Sequence, residues 1–287
     1  MCGSLSASHK ILGKRLNASQ GRNPRNKTGI TTTVARCSDC GLIYSNPQPV
    51  PASIQDHYGI PPEEYWRSEY FTISDDYFSH EIATLKQQYS FRPGDKALDI
   101  GAGLGKGMIA LERAGFESYG FEPSEPFYHR ALEHMKLSRD RLQLSSIENA
   151  VYPLQHFDFI TFGAVLEHLY DPAAAIEKAM TWLKPDGIMH IEVPSSEWFI
   201  SKLFNFYYRV RGLDYVTNIS PMHEPFHLYE FTLRSFQKHG SLTDYKIVHH
   251  EYYVAQTFLP KFLDWILVPF MRSTNTGMQL CVWLKKK

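Results

Sequence analysis

The sequence predicts an α/β protein built around a mainly parallel sheet, and three observations carry that prediction. From Lys96 onward, short apolar segments alternate with amphipathic ones of helical spacing. A glycine-rich turn, "DIGAGLG", follows the first apolar segment of that alternation. The helical segments also carry clear end signals, with Gly115 closing one and Asp171-Pro172 opening another.

Taken in order, residues 1–60 form a polar N-terminal segment rich in Asn, Ser, Thr and Arg, with one Cys-x-x-Cys. "GIPP" marks a break, and residues 61–95 read as a helical lead-in with Tyr77, Ile82, Leu85 and Tyr89 at helical spacing. Residues 96–287 make the main domain. In it, "KALDI" is a buried strand, "KGMIALERAGF" a helix, "SYGFEP" a strand and "EPFYHRALEHMKL" a helix. "LQLSSI" and "FDFITFGAV" are further strands. "DPAAAIEKAMTWLKPDG" is a helix expected to end at Pro185-Asp186-Gly187, followed by the strand "IMHIEV". An aromatic-rich insertion at about 196–230, with "FNFYYRV" inside it, is expected to act as a lid or to form a small subdomain packed on its own rings. After the helix "FTLRSFQKHG", the segments "YKIVHHEYYVA" and "GMQLCVWL" read as two strands with no helical pattern between them, a terminal antiparallel hairpin.

Thirty Lys and Arg balance thirty Asp and Glu over 287 residues. That balance argues against a nucleic-acid or anionic-membrane binder, which needs a basic face. No apolar run reaches the roughly 18 residues of a spanning helix, and the first residues lack the apolar centre of a secretory signal. A cytoplasmic location is expected, with the four cysteines as thiols or metal ligands rather than disulfides. Residues 258–271, "FLPKFLDWILVPFM", are too short to span a bilayer; peripheral membrane contact, a partner, or packing on the insertion are the readings left open. The oligomeric state is not set by the sequence.

In a parallel α/β sheet, ligands bind at the carboxyl ends of the strands, beside the point where strand order reverses. Here the glycine loop 101–105 sits after the first strand, and the second strand ends at Glu122, where a carboxylate can accept from two ribose hydroxyls. The pair reads as a nucleoside site. The spacing is G-x-G-x-G rather than the dinucleotide G-x-G-x-x-G, and Asp99 at the loop mouth would oppose a pyrophosphate. A nucleoside with a cationic, phosphate-free tail suits these residues better.

"LDIGAGLG", "GFEPS", "FDFITFGAVLEHLYDP", "LKPDGIMHIEVP" and "HLYEFT" together resemble the ordered motifs of class I S-adenosylmethionine-dependent methyltransferases, over about residues 90–245. The likeness is to the small-molecule branch with Leu-Glu-His after its fourth strand. It implies a Rossmann-like sheet of seven strands, the last antiparallel. It further implies that Asp99, Gly101, Ala102, Gly103 and Gly105 line the methionine part of S-adenosylmethionine. By the same likeness Glu122 holds the ribose, with Pro123 after it, Ser146 and Ile147 lie near the adenine, and Phe162 and Gly163 face the sulfonium side. The chemistry implied is methyl transfer to a small-molecule acceptor.

A hydroxyl acceptor needs a base, and imidazole is the natural one near neutral pH. His168, in "LEHL", resembles the family histidine that faces the acceptor, and His227, in "HEPFH", stands where the family often has another; His223 is a third candidate. The acceptor is expected to be a sugar, a glycan precursor or a lipophilic metabolite methylated on oxygen. Transfer to carbon or nitrogen, a nicotinamide-dependent oxidoreductase and a non-catalytic cofactor-binding module are the alternatives. "HEPFH" formally matches the zinc-protease pattern, but Pro225 breaks the helix which that pattern requires. The Leu-Glu-His segment also resembles the ubiquinone-biosynthesis O-methyltransferases, some of which bind a divalent metal there; Ala164 stands where that pattern has a further Glu.

Cys37 and Cys40 resemble the second half of a zinc ribbon, and "MCGS" around Cys2 the tail of its first half. Two cysteines do not complete a tetrahedral site. Cys2, with His9 or His57, could add ligands, so structural zinc, a metal-free knuckle and a redox pair all stay open. Cys281, on the last strand, is expected to be a buried apolar residue.

Overall fold

The computed structural model describes residues 1–4, 9–18, 27–50, 68–222, 226–254, 257 and 259–287. The break at 59–62, His57 and His223 lie outside them. The strands are β1 (His9–Ala18), β2 (Lys27–Cys37), β3 (Ile43–Ser45), β4 (Lys96–Ile100), β5 (Glu117–Glu122), β6 (Leu142–Leu144), β7 (Phe157–Gly163), β8 (Leu183–Pro194), β9 (Tyr229–Glu230), β10 (Tyr245–Tyr253) and β11 (Gln279–Lys286). The helices are α1 (Ser79–Gln88), α2 (Lys106–Arg113), α3 (Glu125–Glu133), α4 (Pro172–Trp182), α5 (Phe199–Val210), α6 (Leu233–Leu242) and α7 (Asp264–Ser273). One sheet has the order β10-β11-β8-β7-β4-β5-β6. This mostly parallel, seven-stranded sheet with its terminal antiparallel pair is the fold class the sequence predicts.

Two compact units are present: residues 1–50, 166–172 and 192–282 form the first, and 51–165, 173–191 and 283–287 the second. In the second unit, β4 pairs in parallel with β5 on one side and β7 on the other. Strand order therefore reverses beside β4, and the loop 101–105 opens at that point. Ala97, Leu98 and Ile100 on β4, and Phe157, Phe159, Ile160 and Phe162 on β7, are buried. Such continuous apolar runs suit strands covered on both faces. Asp158, buried in β7, is satisfied by the Tyr89 hydroxyl (2.9 Å), the Lys96 amide (2.9 Å) and the Lys184 ammonium (2.7 Å).

In the first unit, β1 and β2 form a long antiparallel pair continued by β3 and β9. The sequence reading assigned no strands to this polar segment. Its Thr31, Thr32 and Thr33 are β-branched and favour an extended chain although they are polar. The Cys37–Cys40 turn rests on the start of α6, where Thr232 Oγ1 donates to the Cys40 carbonyl (2.7 Å) and also caps the helix through the Ser235 amide.

Two element boundaries are corrected. Helix α4 ends at Trp182, because Lys184 precedes Pro185 and is pushed toward extended backbone. The connection from β10 to β11 is helical: α7 lies within it, with Pro269 inside the helix.

Candidate active site

The first group of predicted site residues lies at the carboxyl ends of β4 and β5. Gly101, Gly103 and Gly105 all take positive φ, at 68°, 56° and 76°. Nothing lies within 4 Å of where a Cβ on Gly103 would stand, nor of one on Gly163 at the end of β7. Backbone is thus exposed to open space at both positions. A Cβ on Gly107 would stand 2.5 Å from Asp99 Oδ2. Its absence lets the Asp99 carboxylate lie against the first turn of α2, where the Met108 amide donates to it. Glu122 accepts the Gly103 amide through Oε2 and the Ser124 amide through Oε1, each at 2.8 Å.

Both carboxyls are buried. Burial pushes Asp99 up to about 7, and the neighbouring Glu122 charge adds to this. Burial likewise pushes Glu122 up to about 7 against the pull of its two amides. Two such groups resist ionising together, and a cation beside them would favour the charged forms. Ser146 is buried with no hydrogen-bond partner for its hydroxyl among the described residues, Ile147 is buried beside it, Ala102 and Pro123 are half-buried, and Phe162 is fully buried in β7. Open backbone, two strained carboxyls and an orphan hydroxyl fit a nucleoside that carries a positive arm.

The second group is in the first unit. A 3₁₀ turn, Leu166–His168, carries Glu167 and His168. Its position is held by the Leu228 amide, which donates to the Glu167 carbonyl (2.8 Å). That bond brings His227 alongside. The His168 and His227 rings are 5.1 Å apart and nearly perpendicular, and His227 Nε2 is 3.9 Å from Glu167 Oε1. His168 Nδ1 is 3.3 Å from the Phe226 carbonyl, which fixes that nitrogen as the protonated one. The Glu167 side chain is buried, and its carboxyl oxygens have no hydrogen-bond partner among the described residues. Burial pushes it up to about 8, with Glu192 adding to the rise. At neutral pH it therefore holds a proton. The sequence singled out the two histidines separately. Glu167 was marked only through the Leu-Glu-His resemblance to enzymes that bind a divalent metal there, and the sequence did not bring it together with His227.

In the same unit the Cys2, Cys37 and Cys40 sulfurs all lie within 4.8 Å of one another, and Cys2 and Cys37 are 3.6 Å apart. Burial raises the Cys37 thiol, but the Cys40 and Asp39 amides outweigh it and leave this thiol below its usual value. Cys40 is pushed up by burial to about 12. Cys281 is buried on β11.

Residues 74–250 match the family model described as "Methyltransferase domain". A ubiquinone biosynthesis O-methyltransferase of Coxiella burnetii is 30% identical over 140 residues, 48% of this chain and 57% of that protein. One of Methylococcus capsulatus is 31% identical over 115 residues, 38% of this chain and 48% of that protein. The matched region thus spans about half the length of these curated relatives. Among solved structures, one chain of the complex between the Haloferax volcanii Trm112 methyltransferase activator and a methyltransferase aligns with a TM-score of 0.50. It is 14% identical and covers 82% of this chain and 97% of that one. That likeness concerns the fold alone.

Proposed function

Because this chain belongs to the methyltransferase-domain family, we propose that it moves a methyl group from S-adenosylmethionine to a hydroxyl of a small-molecule acceptor. The resemblance read from the motifs agrees with the family match, which covers more of the chain than those motifs did. The observation that carries the reading is the buried Asp99–Glu122 pair beside open glycine backbone.

In this reading Glu122 accepts from the ribose, while Asp99 and the backbone at Gly101, Ala102, Gly103 and Gly105 lie along the cationic methionine arm. Pro123, Ser146 and Ile147 border the adenine, with the Ser146 hydroxyl offering its unused hydrogen bond; Phe162 and Gly163 border the sulfonium. When bound, S-adenosylmethionine supplies a methyl already activated for displacement. The chain's own task is to align the acceptor, exclude water and take its proton. His227 is the base, its Nε2 standing 3.9 Å from Glu167 Oε1. His168 orients the acceptor. Glu167, His168 and His227 are read as an acid–base set, since Ala164 offers no further ligand.

The ubiquinone biosynthesis relatives favour oxygen as the atom methylated and a lipophilic or phenolic acceptor. The test is turnover of labelled S-adenosylmethionine against hydroxylated sugars, phenols and prenylated phenols, with His168→Ala and His227→Ala beside the parent. General-base catalysis is typically worth about a hundredfold or more. If both variants keep turnover within about tenfold of the parent, no histidine base operates.

We further propose structural zinc at Cys2, Cys37 and Cys40. Sulfurs bound tetrahedrally at 2.3 Å would sit about 3.8 Å apart, close to the observed 3.6 Å. Elemental analysis of the purified chain, with Cys37→Ser as the control, checks this.

A further inference from the structure

Two helices of the first unit each carry a second apolar face. On α5 the inner side is satisfied: Ile200 and Ser201 are buried, and Asn205 bonds the Thr217 amide (2.8 Å) and the Asn218 side chain (2.7 Å). On the outer side Leu203, Phe206, Tyr207 and Val210 fall at i, i+3, i+4 and i+7, a single stripe. Phe206 is 62% exposed and Val210 68%.

Helix α7 repeats the arrangement. Met271, Leu267 and Val268 pack with Ile200 and Val254. Outward, Phe262 in the preceding turn and then Trp265, Ile266, Pro269 and Phe270 follow the same spacing. Trp265 is 75% exposed and Phe262 70%. Both stripes rise from the one Ile200–Val254–Met271 cluster, and the Phe199 and Phe270 rings meet at 5.1 Å.

The charges around these stripes are mainly positive. Lys202, Arg209, Arg211, Lys261 and Arg272 stand against Glu197, Asp214 and Asp264; Glu197 pairs with Lys202, and Asp264 accepts the Thr257 hydroxyl. Exposed aromatic and branched side chains flanked by Lys and Arg are the composition of a helix lying in a lipid–water interface. An apolar stripe of this extent is uncommon on a solvent-facing surface without a partner. Among the described residues no helix is long and apolar enough to cross a membrane, so the geometry suits lying on a bilayer rather than spanning it.

We propose that the outer faces of α5 and α7 dock on the anionic surface of a lipid bilayer. The positive flanks meet the headgroups, and the Phe206–Val210 and Trp265–Phe270 stripes enter the acyl boundary. The proposal does not rest on the methyl-transfer reading, and its readout needs no turnover.

The test is co-sedimentation of the full chain with phosphatidylcholine vesicles and with vesicles that also contain phosphatidylglycerol. Binding is expected to the mixed vesicles and to weaken with added salt. Phe206→Ser/Val210→Ser and Trp265→Ser/Ile266→Ser should each weaken it about tenfold or more, with thermal stability unchanged because these side chains are exposed. Arg209→Glu/Arg272→Glu should do the same for the mixed vesicles. Failure of the parent to sediment, or serine variants that bind as the parent does, would overturn the proposal. So would a dimer in sedimentation equilibrium that the serine variants convert to monomer, since a second copy would then be the occupant.

Discussion

Glu122 and Glu167 are both buried carboxyls at the ends of strands or just beyond them, yet they are held in opposite ways. Glu122 has an amide on each oxygen. Among the described residues Glu167 has no amide from another residue, only its own backbone N–H, and it stands 3.9 Å from an imidazole nitrogen. A carboxyl with amides prepared for its charge is set up to be an anion once something positive arrives. A carboxyl without them is set up to keep its proton. On the proposed reading, one side chain type, buried in both places, is a binding group in one unit and a neutral acid in the other. Hydrogen-bond supply, not burial, separates the two roles.

The most severe way to break this comparison is Glu122→Ala. It orphans the Gly103 and Ser124 amides and removes the proposed ribose acceptor. Hydrogen bonds to a charged group are worth about 1.5–3 kcal/mol each. The affinity for S-adenosylhomocysteine in calorimetry should therefore fall by about a hundredfold or more. Glu167→Gln should leave that affinity within about threefold, the change expected of a surface-scale effect of under 1 kcal/mol. Equal losses from the two variants would mean that the carboxyls do not have separate tasks.

A smaller effect is expected at His227. His227→Ala should lower kcat by at least about tenfold while leaving S-adenosylhomocysteine affinity unchanged. The same variant on the Glu122 side of the comparison has no counterpart, because no base belongs to that group. A loss confined to cofactor affinity would move His227 out of the acid–base set.

Much of the second unit was legible in the sequence, and the reason is local. "KALDI" and "FDFITF" are uninterrupted apolar runs of strand length, and three glycines at alternate positions can only be a tight turn. Glu122 declares itself by ending a strand. The first unit was less legible because its defining contacts are long-range. His227 reaches the 166–168 turn through one backbone hydrogen bond made some sixty residues along the chain, and no spacing announces it. Strand β2 escaped notice because threonines supply much of its β-branching, and β1 because polar residues and Gly13 interrupt its Ile11, Leu12 and Leu16. Helix α7 was obscured by Pro260 and Pro269, the second of which sits inside the helix. For α5, the aromatic periodicity was visible, but a period does not say which of two faces is turned inward. The ring-rich segment proves to expose its stripe rather than pack it on itself.

The smallest effect, and the sharpest for the comparison, is the pH dependence of stability. Asp99 and Glu122 are raised to about 7 and Glu167 to about 8. A carboxyl whose folded value is raised contributes stability that is complete below its unfolded value of about 4 and is lost as pH rises through the folded value. The ligand-free chain should therefore lose stability between about pH 4 and 8, by up to about 1.4 kcal/mol per pH unit for each group. His190, buried in β8 and lowered by burial to about 3, acts the other way: its contribution is present above about 6.5 and lost as pH falls toward 3. It is silent in the window from about pH 7 to 8, where Glu167 is the main group still changing. Glu167→Gln keeps the shape and removes the titration, so in denaturant unfolding it should flatten that last stretch of the curve and lower the slope below it by one group's share, about 1.4 kcal/mol per pH unit. S-adenosylhomocysteine should instead flatten the lower stretch, by favouring the ionised Asp99 and Glu122. If the glutamine variant follows the parent curve through pH 8, Glu167 is not the neutral acid that its missing hydrogen bonds require, and the distinction between the two carboxyls fails.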